Sequence, residues 1–226
     1  LYKCCTPPGY TDSYMEEGMG IDVWLDRASV PEVIDSPVVE QAASAAPVEA
    51  FDLSSCTQCV LSETRQHVLI GQGNASPRLM IVGDVPSEEE DSSAQMYRGA
   101  AGELLEKMLQ AMKLSTDEVF YTPAVKCRPP ENRQPHVAES KTCFKHLQQQ
   151  IAERKPECIL AFGNLAALGV LNQKLKVTEA RGQWFNTDDN IPVMVTYHPA
   201  YLLRTPEEKK AAWGDLQQVM SKLGLN

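Results

Sequence analysis

The sequence has no long hydrophobic segment and no basic leader. Its longest apolar runs, such as Cys158 to Phe162, have the length of one buried β-strand and are too short to cross a bilayer. No positively charged stretch precedes an apolar one, which argues against a secretory signal. These absences predict a cytoplasmic protein. The chain begins with leucine rather than methionine, so we expect that a few residues precede it.

The chain also lacks an excess of positive charge. Its net charge is −9, and residues 1–50 carry nine carboxylates against only two basic side chains, Lys3 and Arg27. Affinity for DNA comes largely from the neutralisation of phosphates by basic residues. The composition therefore excludes a general nucleic-acid binder. Any contact with DNA has to be local or made through a partner.

The N-terminal part divides into two unlike segments. Residues 28–50 mix small, acidic and proline residues without helical or strand periodicity, which is typical of a flexible linker. Residues 1–27 contain apolar side chains in a stretch too short to bury them, and we predict a partner-docking peptide. The alternative is a turn that folds back on the main domain. The apolar side chains are Tyr14, Met15, Met19, Ile21, Val23, Trp24 and Leu25.

Residues 51–226 alternate between strand-like and helix-like patterns, so we predict one α/β domain with a mainly parallel central sheet covered on both faces. Short apolar runs predict the strands, and apolar residues at helical spacing predict the helices. The predicted strands span 78–82, 119–125, 157–162 and 191–196. The predicted helices span 103–112, 139–154, 164–171 and 207–223.

Four of the seven cysteines have the spacing of a metal site. Cys56 and Cys59 form a C-x2-C pair, and Cys127 and Cys143 follow at the end of a predicted strand and on the next predicted helix. Four thiolates suit either tetrahedral zinc or an iron–sulfur cluster, and ordinary buried thiols are the alternative. Cys158 lies within a strand and is assigned to the core. Cys4 and Cys5 are adjacent and do not easily chelate one metal together.

From Cys56 to the C-terminus, the sequence resembles the iron–sulfur uracil-DNA glycosylases, the family-four branch of that superfamily. The resemblance implies a three-layer α/β/α sandwich and a structural 4Fe-4S cluster held by the four cysteines, with zinc as the alternative metal. The matching motifs, in chain order, are the C-x2-C pair, Gly71-Gln-Gly-Asn74, Arg78 to Pro86 with the acidic Glu88 to Asp91, Gly99 to Leu105, Val125-Lys-Cys-Arg-Pro-Pro130 with Asn132-Arg133, Ala161-Phe-Gly-Asn164 and His198-Pro-Ala-Tyr-Leu-Leu-Arg204.

A glycosylase needs a flipped base that is stacked and hydrogen-bonded, and groups that stabilise charge as the glycosidic bond breaks. By the resemblance, His198 faces the leaving base and Arg204 meets a phosphate. Tyr97 stands where the family stacks a phenylalanine. The family's Gly-Glu-Ala-Pro-Gly is replaced by Gly83-Asp-Val-Pro-Ser87, in which Asp84 keeps the carboxylate, Val85 adds bulk and Ser87 replaces a glycine.

The largest departure is Pro123. The family has an asparagine at this position, which reads the uracil edge, whereas Thr122 is followed here by proline. Proline has no side-chain hydrogen-bonding group and no backbone N–H. A lost base-edge contact costs roughly 1–3 kcal/mol of discrimination. We therefore expect damaged uracil recognition and a pocket, formed by Gly83, Tyr97, Pro123 and Arg204, that is a remnant of a base site.

A second resemblance concerns the psi subunits of bacterial DNA polymerase III, which have a degenerate glycosylase-like fold. It is based on the peptide from Met19 to Trp24, the Thr122-Pro123 pair and the closing helix around Trp213. It implies that the N-terminal peptide binds the clamp loader, with Trp24 as anchor. It also implies that the globular domain binds the chi subunit, which links the loader to single-strand DNA-binding protein at the replisome.

Together these features predict a non-catalytic replication adaptor on an iron–sulfur glycosylase scaffold. The alternative is an active uracil-DNA glycosylase of base-excision repair, in which Asp84 and His198 are the candidate catalytic residues. A structural metal protein unrelated to DNA is a third interpretation. The acidic charge, the linker with its peptide, and Pro123 favour the adaptor, whereas the intact histidine motif favours the enzyme.

Overall fold

A central sheet of six strands organises the structure, a computed structural model that describes residues 53–225. The strand order is β1-β3-β2-β4-β6-β5. The four inner strands run parallel to one another, while β1 pairs antiparallel with β3 and β5 pairs antiparallel with β6. The strands are β1 Gln72–Gly73, β2 Leu79–Gly83, β3 Val119–Pro123, β4 Cys158–Phe162, β5 Trp184–Asn186 and β6 Pro192–Thr196.

Seven α-helices accompany the strands in the described part of the chain. They are α1 Glu88–Ser93, α2 Gly99–Ala111, α3 Val137–Arg154, α4 Asn164–Leu171, α5 Val177–Ala180, α6 Pro199–Arg204 and α7 Lys209–Lys222. Helix α2 packs with α6, and α3 packs with α4, while α7 lies against β4 and β6. Between residues 53 and 225, no helix is long and apolar enough to span a membrane.

The core lies on both faces of the sheet. Every residue of β2 and of β4 is buried, which requires covering layers above and below these strands. Leu79, Met108 and Leu216 are among the fully buried side chains that join the sheet to α2 and α7. The expected α/β fold with a mainly parallel sheet and flanking helices is therefore confirmed.

The parallel core was easier to predict than its edges. The four predicted strands correspond to β2, β3, β4 and β6, and their long helical partners are all present. The sequence interpretation missed the short antiparallel strands β1 and β5, because two or three residues show no usable periodicity. The predicted docking peptide, residues 1–27, and the predicted linker, residues 28–50, lie outside the described residues and stay predictions.

Candidate active site and cysteine pocket

The candidate catalytic residues meet at the carboxyl edge of the parallel sheet. Asp84 directly follows β2, Pro123 ends β3, Gly163 follows β4 and His198 lies just beyond β6. Ligands of open α/β sheets bind at this edge, where loops leave the strands and the N-termini of helices converge. The topology thus brings together residues that are more than a hundred positions apart in sequence.

Asp84 is held by the first turn of helix α4. Its Oδ1 accepts a hydrogen bond of 2.9 Å from the backbone N–H of Ala166. Burial raises the pKa of Asp84 to about 6, against the opposing effect of the helix N–H groups. Gly163 permits this arrangement, because a Cβ at that position would collide with the carboxylate and its φ of +101° disfavours other residues. Asp84 is thus a carboxylate that titrates near neutral pH.

His198 is the N-cap of helix α6. Its Nδ1 accepts a hydrogen bond of 3.1 Å from the backbone N–H of Ala200, so a neutral ring carries its proton on Nε2. Burial, together with the charge of Arg204, lowers the pKa of His198 to about 4. The ring is therefore neutral at physiological pH. It presents Nε2–H as a hydrogen-bond donor towards Gly83, the last residue of β2.

Tyr97 closes the group of aromatic rings beside His198. Its ring lies nearly parallel to the imidazole at 6.2 Å and makes edge contacts with Tyr121 at 5.7 Å and Phe162 at 6.5 Å. Asp84, Tyr97 and His198 are all partly exposed, so this group opens to the protein surface. The base-pocket role that the resemblance implied for Tyr97 stays a prediction.

Ser87 has a structural role that the sequence interpretation missed. It caps helix α1 in a reciprocal arrangement: its Oγ accepts from the N–H of Glu90, and Glu90 Oε2 accepts from the N–H of Ser87 at 2.8 Å. The other oxygen of Glu90 accepts from the N–H of Tyr97 at 2.5 Å. The serine that replaces a family glycine therefore connects the Asp84 loop to Tyr97.

Pro123 is buried at the end of β3 and its carbonyl oxygen is engaged. The buried ammonium of Lys126 donates to this oxygen at 2.8 Å and to Gln150 Oε1 at 2.7 Å. Thr122 Oγ1 donates to the same glutamine oxygen at 3.0 Å. Burial lowers the pKa of Lys126 to about 7. Lys126 and Gln150 were missed because residues so far apart in sequence give no local signal of a shared network.

The four predicted ligand cysteines are brought together in one pocket. Cys56, Cys59, Cys127 and Cys143 line it, and its other walls include Leu53, Val68 and the buried His146. Cys158 lies instead in the interior of β4, as assigned from the sequence. All the described cysteines are free of disulfide bonds. Cys4 and Cys5 lie outside the described residues.

Donor groups point at the sulfur atoms of this pocket. Arg65 Nη1 donates to Cys127 Sγ at 3.2 Å, and the backbone N–H of Lys126 donates to Cys143 Sγ at 3.2 Å. Burial raises the pKa of Cys143 to about 11 and that of Cys127 above its usual value. N–H donors to sulfur are a common feature around metal-bound thiolates. The donor set therefore fits a buried thiolate site.

The two sites share structural elements. Val85, next to Asp84, packs against the apolar cluster that contains Leu61, Cys127 and Cys143. The buried carboxylate of Asp91 on helix α1 accepts from the backbone N–H groups of Gln66 and His67, which follow the cysteine pair. The cysteine pocket thus supports the loop that carries Asp84.

Comparison with known proteins identifies the family. The profile of the uracil DNA glycosylase superfamily matches residues 70–217, most of the chain. This chain belongs to the uracil-DNA glycosylase superfamily. The type-4 uracil-DNA glycosylase of Thermotoga maritima is 34% identical over 75% of this chain and 90% of its own length. Type-4 uracil-DNA glycosylases of Pyrobaculum aerophilum and Sulfurisphaera tokodaii are 34% and 33% identical, over 68% and 74% of this chain and 82% and 80% of their own lengths.

These relatives overturn the predicted adaptor function. The non-catalytic, psi-like interpretation was wrong, because the relatives are uracil-DNA glycosylases and the resemblance to psi subunits finds no support. Pro123 was one of the arguments for the adaptor, and its effect on uracil recognition stays a prediction. The clamp loader, the chi subunit and single-strand DNA-binding protein were expected only through the psi resemblance, and no observation tests them.

Proposed function

We propose that this protein is a uracil-DNA glycosylase, which hydrolyses the bond between uracil N1 and deoxyribose C1′. The observation that carries the proposal is the pairing of Asp84 and His198 at one sheet edge. Burial and hydrogen bonding tune Asp84 to a pKa near neutrality and hold His198 neutral with its proton on Nε2. Burial thus reverses the usual order of the two pKa values, and acid and base groups perturbed in this way are typical of active sites.

In this reaction the electron pair of the breaking N1–C1′ bond moves into the uracil ring. The Nε2–H of His198 donates a hydrogen bond to the carbonyl oxygen that gains negative charge, and a neutral donor needs no prior deprotonation. The ionised Asp84 stabilises the positive charge that develops on the sugar and accepts a proton from the attacking water. That proton then passes to the uracil anion. The products are free uracil and an abasic sugar.

Arg204 supports the same assignment. It is exposed at the end of helix α6, and its charge contributes to the low pKa of His198. An exposed guanidinium beside the catalytic histidine suits a DNA phosphate, which provides a local contact despite the net negative charge of the chain. Arg204 is therefore assigned to positioning the flipped nucleotide.

We further propose that Cys56, Cys59, Cys127 and Cys143 hold a 4Fe-4S cluster. The four thiols share a pocket, yet no three His, Cys, Asp or Glu side chains between residues 53 and 225 are arranged to hold a single metal ion. A cluster spreads its four cysteine ligands over separate iron atoms, whereas zinc draws them around one centre. This comparison favours the cluster over zinc. When bound, the cluster would connect the segment of Cys56 and Cys59 to the loop after β3, which carries Cys127, and to α3, which carries Cys143.

Uracil excision from single- and double-stranded DNA tests the proposed activity, with His198→Asn as the decisive variant. Asparagine retains an oxygen that caps helix α6 but removes the Nε2 donor. We expect excision to fall by about 10²–10³-fold with little change in melting temperature. His136, an exposed histidine that caps α3, offers the matched control His136→Asn, which should excise normally. Absence of excision by the unaltered protein would refute the proposal.

A further inference from the structure

The side chain of Tyr97 has one polar atom, and that atom is buried without a hydrogen-bond partner. Among residues 53–225, only three buried side-chain nitrogen or oxygen atoms lack a partner: Tyr97 Oη, Arg154 Nε and Arg181 Nε. Both arginines form hydrogen bonds through other nitrogens. Tyr97 has no second polar atom with which to compensate. A buried hydroxyl without a partner is costly, so its presence in a candidate active site requires an explanation.

The hydroxyl lies beside the candidate catalytic histidine. A Cβ placed on Gly83 would be 2.9 Å from Tyr97 Oη and 3.9 Å from His198 Nε2. Both polar atoms therefore lie close to Gly83. One of them is the donor assigned to the leaving base. A base that reaches His198 also comes within reach of the tyrosine hydroxyl.

The backbone fixes the tyrosine in this direction. Tyr97 has a φ of +53°, in the left-handed region that non-glycine residues rarely adopt. Its N–H is bonded to Glu90, and its carbonyl packs so closely on Gly102 that a Cβ there would collide with it. Such strained residues are maintained at functional sites when the surrounding structure compensates for the strain. The ring is thus positioned in advance of ligand binding.

Pro123 pairs with Gly83 across β3 and β2, so it lies next to this group. The side chain of Pro123 has no donor or acceptor, and the Pro123 carbonyl already accepts from Lys126. Building on the proposed function, we infer that the hydroxyl of Tyr97 makes the base-edge hydrogen bond that Pro123 cannot make. Tyr97 is then a specificity-determining residue that acts through its hydroxyl.

The chemistry of the hydroxyl suits this role. Burial raises the pKa of Tyr97 well above its usual value of 10, so the group remains an O–H. A hydroxyl can rotate, and it either donates to a carbonyl oxygen or accepts from a ring N–H. Uracil offers both groups on its edge. The ligand class is therefore a flipped base with a carbonyl next to a ring N–H.

The test compares Tyr97→Phe with the unaltered protein in single-turnover excision of uracil. A second measurement is the affinity for an oligonucleotide that contains non-hydrolysable 2′-fluoro-deoxyuridine, relative to its thymidine counterpart. We expect both excision and selective binding to fall by about 10- to 100-fold. The melting temperature should stay equal or rise, because an unpaired buried hydroxyl has been removed.

Two further variants separate a base contact from a packing effect. Tyr121→Phe removes a hydroxyl from the ring that contacts Tyr97 and should leave both readouts unchanged. Pro123→Asn, added to Tyr97→Phe, should restore at least part of the lost selectivity by supplying an amide.

Equal or faster excision by Tyr97→Phe overturns the inference, since the hydroxyl then contributes nothing or obstructs the base. Parallel losses of binding and melting temperature also overturn it, because the hydroxyl is then structural. If the unaltered protein does not excise uracil, the proposed function fails, and the binding measurement decides the inference. In that case, selective binding of the uracil analogue that is lost in Tyr97→Phe supports the inference. If the unaltered protein shows no preference for the uracil analogue, the inference is overturned.

Discussion

The cysteine pocket and the sheet-edge site both bury ionisable groups, but they compensate for burial differently. In the cysteine pocket, Arg65 and the N–H of Lys126 point at sulfur atoms and favour thiolates that a metal can bind. At the sheet edge, Asp84 receives only helix N–H groups and His198 is kept neutral. At the sheet edge, Asp84 has a pKa of about 6 and changes protonation state near working pH, whereas His198 stays neutral.

The cysteine pocket and the sheet-edge site are also connected by direct contacts. Val85 and Asp91 connect the cysteine side to the catalytic loop and to helix α1. The comparison therefore predicts an asymmetry: damage on the cysteine side should reach the catalytic edge, whereas changes at the catalytic edge should leave the cysteine pocket intact.

The largest effect is expected from removing one of the proposed cluster ligands. Cys143→Ser should abolish iron binding, lower the melting temperature strongly and eliminate excision, because metal binding is coupled to folding. Iron and sulfide analysis, visible absorption and thermal unfolding measure this. Cys158→Ser, in a strand away from the pocket, is the control that should retain iron. An iron-free variant with normal excision would break the proposed dependence.

A strong local effect is expected from Gly163→Ala. The new methyl group collides with the Asp84 carboxylate and the backbone has a positive φ, so we expect a loss of about 1–3 kcal/mol in the free energy of unfolding. Excision should fall even under conditions in which the variant remains folded, because the new methyl group displaces the carboxylate of Asp84. Iron content should not change. Gly214→Ala, where a Cβ meets nothing within 4 Å, is the matched control for thermal unfolding.

The pH dependence of excision should report Asp84. Activity should rise with pH as Asp84 ionises around its pKa of about 6, with no loss from His198 until near pH 4. In Asp84→Asn, excision should be low and this ascending limb should disappear. Single-turnover rates between roughly pH 4.5 and 9, a range that spans the pKa of Asp84 and lies above that of His198, provide the measurement. A profile that is unchanged in the variant contradicts the assignment.

The same substitution should stabilise the protein at neutral pH. Because the folded-state pKa of Asp84 exceeds its usual value of 3.8, the folded state holds the proton more tightly than the unfolded state. The free energy of unfolding therefore falls as pH rises between about 4 and 6 and stays lower above that range. Asp84→Asn should raise it by about 1–3 kcal/mol at pH 7. Denaturant unfolding at pH 4 and pH 7 checks the sign.

The smallest effect is expected from Arg204→Gln. The positive charge of Arg204 disfavours the protonated form of His198. Without this charge, the pKa of His198 should rise towards its usual value. Binding to DNA should weaken and its salt dependence should decrease. Histidine titration by NMR and binding at several salt concentrations measure these changes. Lys176→Gln, which breaks only an exposed ion pair with Glu179, should alter neither.

The sequence predicted the buried strands of the fold and the grouping of the four cysteines. The buried strands have continuous apolar runs, and cysteine is chemically distinctive enough for four widely spaced residues to be grouped. The role of Ser87 was misjudged, because its value as a helix cap depends on Glu90 and Tyr97 in three dimensions. The sequence shows that Pro123 lacks a side-chain donor or acceptor, but it does not show that the Tyr97 hydroxyl lies beside Gly83, the residue that pairs with Pro123.

From the sequence by itself, local periodicity indicated the parallel core and side-chain chemistry grouped the four cysteines, whereas the resemblance to the glycosylase family indicated the candidate catalytic residues. Only the tertiary structure decided the protonation states and the orientations of the side chains in the candidate site. Burial and the N-termini of α4 and α6 set the protonation of Asp84 and His198, and the left-handed backbone at Tyr97 directs its hydroxyl towards Gly83. Desolvation and orientation arise from residues that are distant in sequence, so no local pattern encodes them.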